Sequence, residues 1–185
     1  KKIKAITSFL LFFICCQGLF GYLTVSLKLL PIIVTGHLFG GFITLSLFFY
    51  LFLSTTNGIK NHNIGHLKVL GGVALFALIV QIFLGVWTST NYASLACADF
   101  PTCQGKFLPE MDFREGFNLA QEVGPNYLYG LLDNEARVAI HYSHRISAIV
   151  LTLIFLILIS RLWFSSAAPL ASTLGVILIT QISLG

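Results

Sequence analysis

Five runs of the chain, 5–25, 32–53, 67–87, 138–159 and 170 onward, stay apolar for about the ~20 residues that cross ~30 Å of hydrocarbon. A soluble fold has nowhere to bury that much apolar surface. Of the 185 residues, 56% are hydrophobic and 10% charged, with a mean hydropathy of +0.87. These values exclude an ordinary soluble domain, and no basic patch points to nucleic acid. The fold class expected is all-α, a polytopic membrane helical bundle in membrane lipid. Because the chain starts at Lys1 and stops at Gly185 inside an apolar run, both ends are expected to be cuts from a longer protein.

Charge gives the sidedness. Every Asp and Glu lies between Asp99 and Glu135, whereas Lys1, Lys2, Lys4, Lys60, Lys68 and Arg161 flank helices on one side. The positive-inside rule puts that side in the cytoplasm and the acidic segment outside. On the outer side, 26–31 reads as a tight turn with Pro31 starting the next helix. On the inner side, 54–66 is polar and turn-forming through Asn57-Gly58 and Asn61. The segment 88–136 is too polar for lipid. It holds Tyr92, Phe100, Phe107, Phe113, Phe117, Tyr127 and Tyr129, too aromatic a set for a disordered segment, so an ordered outer loop is expected. Asp133 or Asn134 is placed to cap the helix that follows.

A short repeat runs through the odd helices: Gln17-Gly-Leu-Phe-Gly21, Gln81-Ile-Phe-Leu-Gly85 and Gln181-Ile-Ser-Leu-Gly185. An amide and a small residue on one face bring membrane helices close, and three matches at similar depth suggest duplication. The even helices carry histidines instead. His37 is followed by Gly40, Gly41 and Thr44, and His144 by Ser147, Ala148 and Leu151, so each ring faces along a stripe of small residues. Such a stripe would clear room for a flat macrocycle beside an axial ligand.

An ionisable group in a membrane helix is a functional hypothesis by default. For His37 and His144 the two readings are axial ligation of haem iron and a hydrogen-bonded structural histidine. His141, one turn above His144, is a second ligand, a proton-transfer group or a hydrogen-bond partner. Arg145 either pairs with a haem propionate or snorkels to the interface. His62 and His66 read as solvated loop residues, and Cys15 and Cys16 as apolar ones. Cys97 and Cys103 form a C-x5-C pair in what the charge pattern makes an oxidising compartment. A disulfide there stabilises by roughly 2 kcal/mol; a redox-active pair is the alternative.

The run from Leu84-Gly-Val-Trp-Thr-Ser-Thr-Asn-Tyr to Cys97-Ala-Asp-Phe-Pro-Thr-Cys103, then Met111-Asp-Phe, then Ala136-Arg-Val-Ala-Ile-His141-Tyr-Ser-His144-Arg145, resembles the bacterial haem A synthase family. The loop and the H-x-x-H-R helix are the specific parts, and the other helices match by hydropathy. The resemblance implies five transmembrane segments of an eight-helix, two-bundle protein, from about its third to its seventh helix. Residues 1–66 would close the first bundle and lead into the second, which 67–185 would begin, with 88–136 as its outer loop. His37 and His144 would then be axial ligands of two different haems whose second ligands lie outside this chain. Arg145 would reach a propionate, His141 would stand behind the ligand, and Cys97 and Cys103 would match the family's disulfide. The catalytic glutamate of the family lies outside the chain too.

The activity implied is oxidation of a methyl group of haem O to the formyl group of haem A, with haem B as cofactor and an unidentified electron donor. It would take place in the bacterial cytoplasmic (inner) membrane with 88–136 on the periplasmic side. Haem O synthase and oxidase assembly factors would be partners. Two other readings share parts of this pattern. One is a haem-binding membrane electron carrier or haem-handling assembly protein, and the other a quinone-linked thiol oxidase using Cys97 and Cys103.

Overall fold

The computed structural model describes residues 2–56, 65–123 and 130–184, and there the chain is all-α. Helices α1 (Lys2–Ser26) and α2 (Pro31–Thr55) form a hairpin. A single 3-10 turn (Gly65–Leu67) leads into α3 (Lys68–Thr90), and a one-turn α4 (Phe113–Gly116) interrupts the long connection to α5 (Asn134–Trp163), which α6 (Ala168–Leu184) follows. Among the described residues there is no strand, only an isolated antiparallel bridge between Cys103 and Lys106. Asn57-Gly58, Asn61, His62, Pro125, Tyr127 and Tyr129 lie outside the described residues.

Four stretches, Ile3–Ser26, Pro31–Thr55, Gly65–Thr90 and Asn134–Trp163, are long and apolar enough to cross a membrane. The protein is a multi-pass membrane protein. Large apolar residues such as Phe12, Leu45, Phe76 and Leu153 are exposed on the helices, where lipid rather than water is their solvent. Helix α6 is apolar and holds 17 described residues, about 26 Å at ~1.5 Å per residue. Helix α5 begins four residues before the predicted apolar run. Its first turn, Asn134-Glu-Ala-Arg137, is polar, and hydropathy alone reads it as loop even though the Arg137 N–H already donates to the Asp133 carbonyl at 3.1 Å.

The chain divides into two compact units, Lys1–Lys60 with Gly85–Tyr142, and Asn61–Leu84 with Ser143–Gly185. In the first, α1 ends in a Schellman closure. The Leu29 N–H reaches the Thr24 carbonyl at 2.7 Å and the Lys28 N–H the Val25 carbonyl at 3.0 Å, with Lys28 and Leu29 both at positive φ. Pro31 then opens α2, its fixed φ and missing N–H suiting a first helical turn. In the second unit, the core joins Leu67 and Ala74 to Leu158 and Leu162 of α5 and to Ala167 and Ala171. Small residues there let the helices approach closely. The Ser165 hydroxyl holds the turn before α6, donating to the Leu162 carbonyl at 2.7 Å and accepting the Ala167 N–H at 3.1 Å.

Candidate functional site

In the first unit the histidine of α2 lies against the repeat of α1. A Cβ placed on Gly21 would sit 3.3 Å from Cε1 and 3.7 Å from Nε2 of His37, so the ring rests on the glycine. One turn back on α1, the amide of Gln17 fills the space over Gly40, where a Cβ would fall 1.2 Å from Gln17 Nε2. Gly40 therefore leaves no clearance beside His37, contrary to the small-residue stripe expected there. Gly41 stays open, with nothing within 4 Å of its Cβ position. His37 Nδ1 and Gln17 Oε1 are both buried without a hydrogen-bond partner.

In the second unit the repeat glutamine meets the histidine directly. Gln81 of α3 brings its Nε2 within 3.0 Å of His144 Nδ1 and 3.5 Å of His144 Nε2 on α5. The amide nitrogen thus lies along the edge the two ring nitrogens share, nearer Nδ1, and Gln81 Oε1 is buried without a partner. Both histidines are half-buried. Sequence reasoning assigned the glutamines to helix packing and missed that Gln81 meets His144. The signal was present, since α3 with Gln81 and α5 with His144 are neighbouring apolar segments in the sequence. Arg145 is half-buried, and His66 is exposed as expected. No group of three His, Cys, Asp or Glu that could hold a metal ion occurs among the described residues. The nitrogen donors come singly, which suits a ligand that brings its own equatorial donors and does not suit zinc.

Above the helices of the first unit, the outer loop is ordered by a polar network around one tryptophan. Trp87 is fully buried, and its indole N–H donates to the Gly116 carbonyl at 2.8 Å. The Asn91 amide donates to the Trp87 carbonyl at 3.0 Å and accepts from Gln121 at 3.1 Å. Asp112 caps α4 by accepting the Glu115 N–H at 3.0 Å. Glu110, Asp112, Glu115, Asp133 and Glu135, with Met111, line an open acidic cleft on this loop. None of Trp87, Asn91 or Gly116 was singled out from the sequence.

Cys97 and Cys103 form a disulfide with Cα atoms 4.6 Å apart, buried against Val138 of α5. The turn beyond it, Cys103-Gln104-Gly105-Lys106, carries positive φ at both central residues, as a type I′ turn requires. Its paired bonds run from Cys103 N–H to the Lys106 carbonyl at 2.9 Å and from Lys106 N–H to the Cys103 carbonyl at 3.1 Å. Tyr142 of α5 donates to the Phe107 carbonyl at 2.8 Å. The Cys97 N–H donates to His141 Nδ1 at 3.3 Å. A backbone amide can only donate, so Nδ1 offers its lone pair and the proton of neutral His141 sits on Nε2. An imidazole in that state has no lone pair left for a metal.

Asp99 closes the small loop beneath the disulfide. Its carboxylate accepts from the Thr102 hydroxyl, from the Gly105 N–H at 3.0 Å and from the Gln104 N–H at 2.7 Å. These donors, the Thr102 hydroxyl foremost, hold its pKa at about 2 against an ordinary 3.8. A lowered folded pKa stabilises the loop above the unfolded value, and that contribution fades as pH falls from about 3.8 through about 2. In thermal unfolding over a pH series, wild type is expected to exceed Asp99→Asn at pH ~5 and to lose that advantage below pH ~2. An advantage that stays constant across the series would remove Asp99 from the loop's acid response.

A family model described as COX15-CtaA, cytochrome oxidase assembly protein, matches residues 1–185. The chain belongs to this family. Among the cytochrome oxidase assembly proteins and their relatives, the protein named heme A synthase from Shewanella oneidensis is 40% identical over 186 residues, covering 98% of this chain and 56% of the relative. The chain thus spans about half the length of the curated relative it matches. No solved structure matches it.

Proposed function

We propose that this chain is part of a haem A synthase, which oxidises a methyl group of haem O to the formyl group of haem A by successive hydroxylation and loss of water. The observation that carries this reading is a half-buried histidine on the helix packed against a repeat glutamine in each compact unit, His37 on Gly21 with Gln17 over Gly40 in the first and His144 against Gln81 in the second. His37 and His144 are half-buried imidazoles with orphaned polar atoms beside them, a donor set that fits axial ligation of haem. The 40% identity to a named heme A synthase supports it independently.

In this reading His37 holds one haem and His144 the other, each with a second ligand from parts of the relatives' length that the chain does not span. Residues 1–66 complete a first bundle and 67–185 begin a second. Arg145 neutralises a propionate through charge-assisted bonds. His141, tied to the loop through Nδ1, supports the helix behind His144 rather than binding iron. Bound haem B supplies electron transfer, haem O is the substrate, and an electron donor, haem O synthase and oxidase assembly factors are the partners. The membrane is the bacterial cytoplasmic membrane with the loop outside, in keeping with a disulfide.

The test is pigment extraction and chromatography of haems B, O and A from the full-length protein in detergent, for wild type, His37→Ala and His144→Ala. Haem A in wild type, with occupancy or conversion lost in each variant, is the expected result. Haem B without O or A would instead favour an electron carrier or haem-handling assembly protein, and no haem in any sample would sink both. The thiol-oxidase reading finds no support in the geometry, because Cys97 and Cys103 are 3% and 0% exposed and closed to an attacking thiol.

A further inference from the structure

We infer that Gln81 is a positioning residue for His144, holding the imidazole through Nδ1 so that Nε2 is the nitrogen presented to iron; this rests on the haem-ligand reading above. Three observations converge. The Gln81 amide lies against the His144 ring, 3.0 Å from Nδ1 and nearer to it than to Nε2. Its oxygen is buried with no partner. The two ends of an amide are nearly isosteric, and their order follows the proton on the facing nitrogen. When Nε2 gives its lone pair to a metal, Nδ1 carries the proton, and the orphaned Oε1 is the end of Gln81 able to accept it. A histidine ligand donating its other N–H in this way is fixed in tautomer and orientation and made a stronger electron donor.

The third observation is the repeat. In the first unit Gln17 occupies the equivalent place in its helix, with its own Oε1 buried and unpaired, and His37 Nδ1 is a buried ring nitrogen lacking a partner in the same hairpin. Two glutamines at one motif position, each with an unsatisfied oxygen and each packed on a histidine helix, are hard to attribute to helix packing. An alanine or serine packs as well and strands no buried acceptor. In α3 the glutamine of the Q-x-x-x-G repeat then does more than pack: it orients His144.

The experiment uses the full-length protein in detergent with Gln81→Leu, Gln81→Glu and His144→Ala, reading haem content, the electron paramagnetic resonance g-values of the ferric haem and its reduction midpoint. Gln81→Leu is expected to weaken haem retention roughly 10- to 100-fold and raise the midpoint, since the imidazole donates less to iron. Gln81→Glu, isosteric and a stronger acceptor, is expected to retain haem and lower the midpoint. Opposite shifts are a signature that packing alone does not produce. Wild-type g-values and midpoint in both glutamine variants, with haem lost in His144→Ala, would overturn the inference and leave the ligand intact. Unchanged haem in His144→Ala would overturn the ligand reading itself. If Gln81→Leu fails to fold, the sign of the Gln81→Glu shift still decides.

Discussion

Trp87→Ala is expected to destabilise the protein by about 3–5 kcal/mol and to open the outer loop to protease. The side chain is 0% exposed, and it is the largest fully buried one described. Removing it leaves a cavity between the end of α3 and the loop and strands the Gly116 carbonyl that its indole N–H satisfies. The Asn91 bond to the Trp87 carbonyl uses backbone and survives the substitution, but loses the ring that shields it. Trp87→Phe separates the two contributions. It keeps most of the volume and loses the hydrogen bond, for an expected cost of about 1–3 kcal/mol. Denaturant unfolding of the full-length protein in detergent, with limited proteolysis across 91–133, measures both. A Trp87→Ala protein as stable and as protease-resistant as wild type would mean that this tryptophan does not hold the loop.

Gly116→Ala should reproduce part of that loss from the other side of the bond. A Cβ at Gly116 would lie 2.7 Å from the Ala136 carbonyl oxygen and 3.4 Å from Ile140 Cγ1. The nearest obstacle is backbone, which cannot swing aside as the amide over Gly40 can. The short α4 must therefore back away from α5, at about 1–3 kcal/mol, and the Gly116 carbonyl moves off the indole as it does so. The two sites share one hydrogen bond, so Gly116→Ala and Trp87→Phe together should cost less than their sum by about 0.5–3 kcal/mol. A double-mutant cycle on the same unfolding measurement checks this. Strict additivity would mean that α4 and Trp87 are held independently.

What could be read from the residues alone follows from how far each property travels along the chain. Membrane helices declare themselves locally, because twenty apolar residues in a row have few other fates, and the spans were legible to within a few residues. The start of α5 was legible from the capping residues Asp133 and Asn134 and not from hydropathy, because its first turn is polar while its backbone is already helical. The disulfide was legible from C-x5-C together with the side of the membrane. The network that the disulfide sits in was not. A tryptophan at the end of a membrane helix looks the same in sequence whether it rests at the interface or, like Trp87, is closed over by a loop thirty residues away. Gly116 is equally silent until Ala136 comes within reach. The glutamines illustrate the same limit, because their repeat was visible but what each faces, Gly40 for Gln17 and His144 for Gln81, depends on the register between two helices, which no single helix encodes.

The ordered loop also ties together the outer ends of α3 and α5. Trp87 pins the end of α3 to Gly116, and the Cys97 amide and the Phe107 carbonyl pin His141 and Tyr142 of α5 to the same segment. That segment carries its own disulfide, its own turn and a row of carboxylates, and it cannot sink into hydrocarbon. A helix in lipid is otherwise free to slide along its axis, since one apolar turn resembles the next. Tied to a cap that stays in water, these two ends cannot move like pistons past each other without breaking one of those hydrogen bonds.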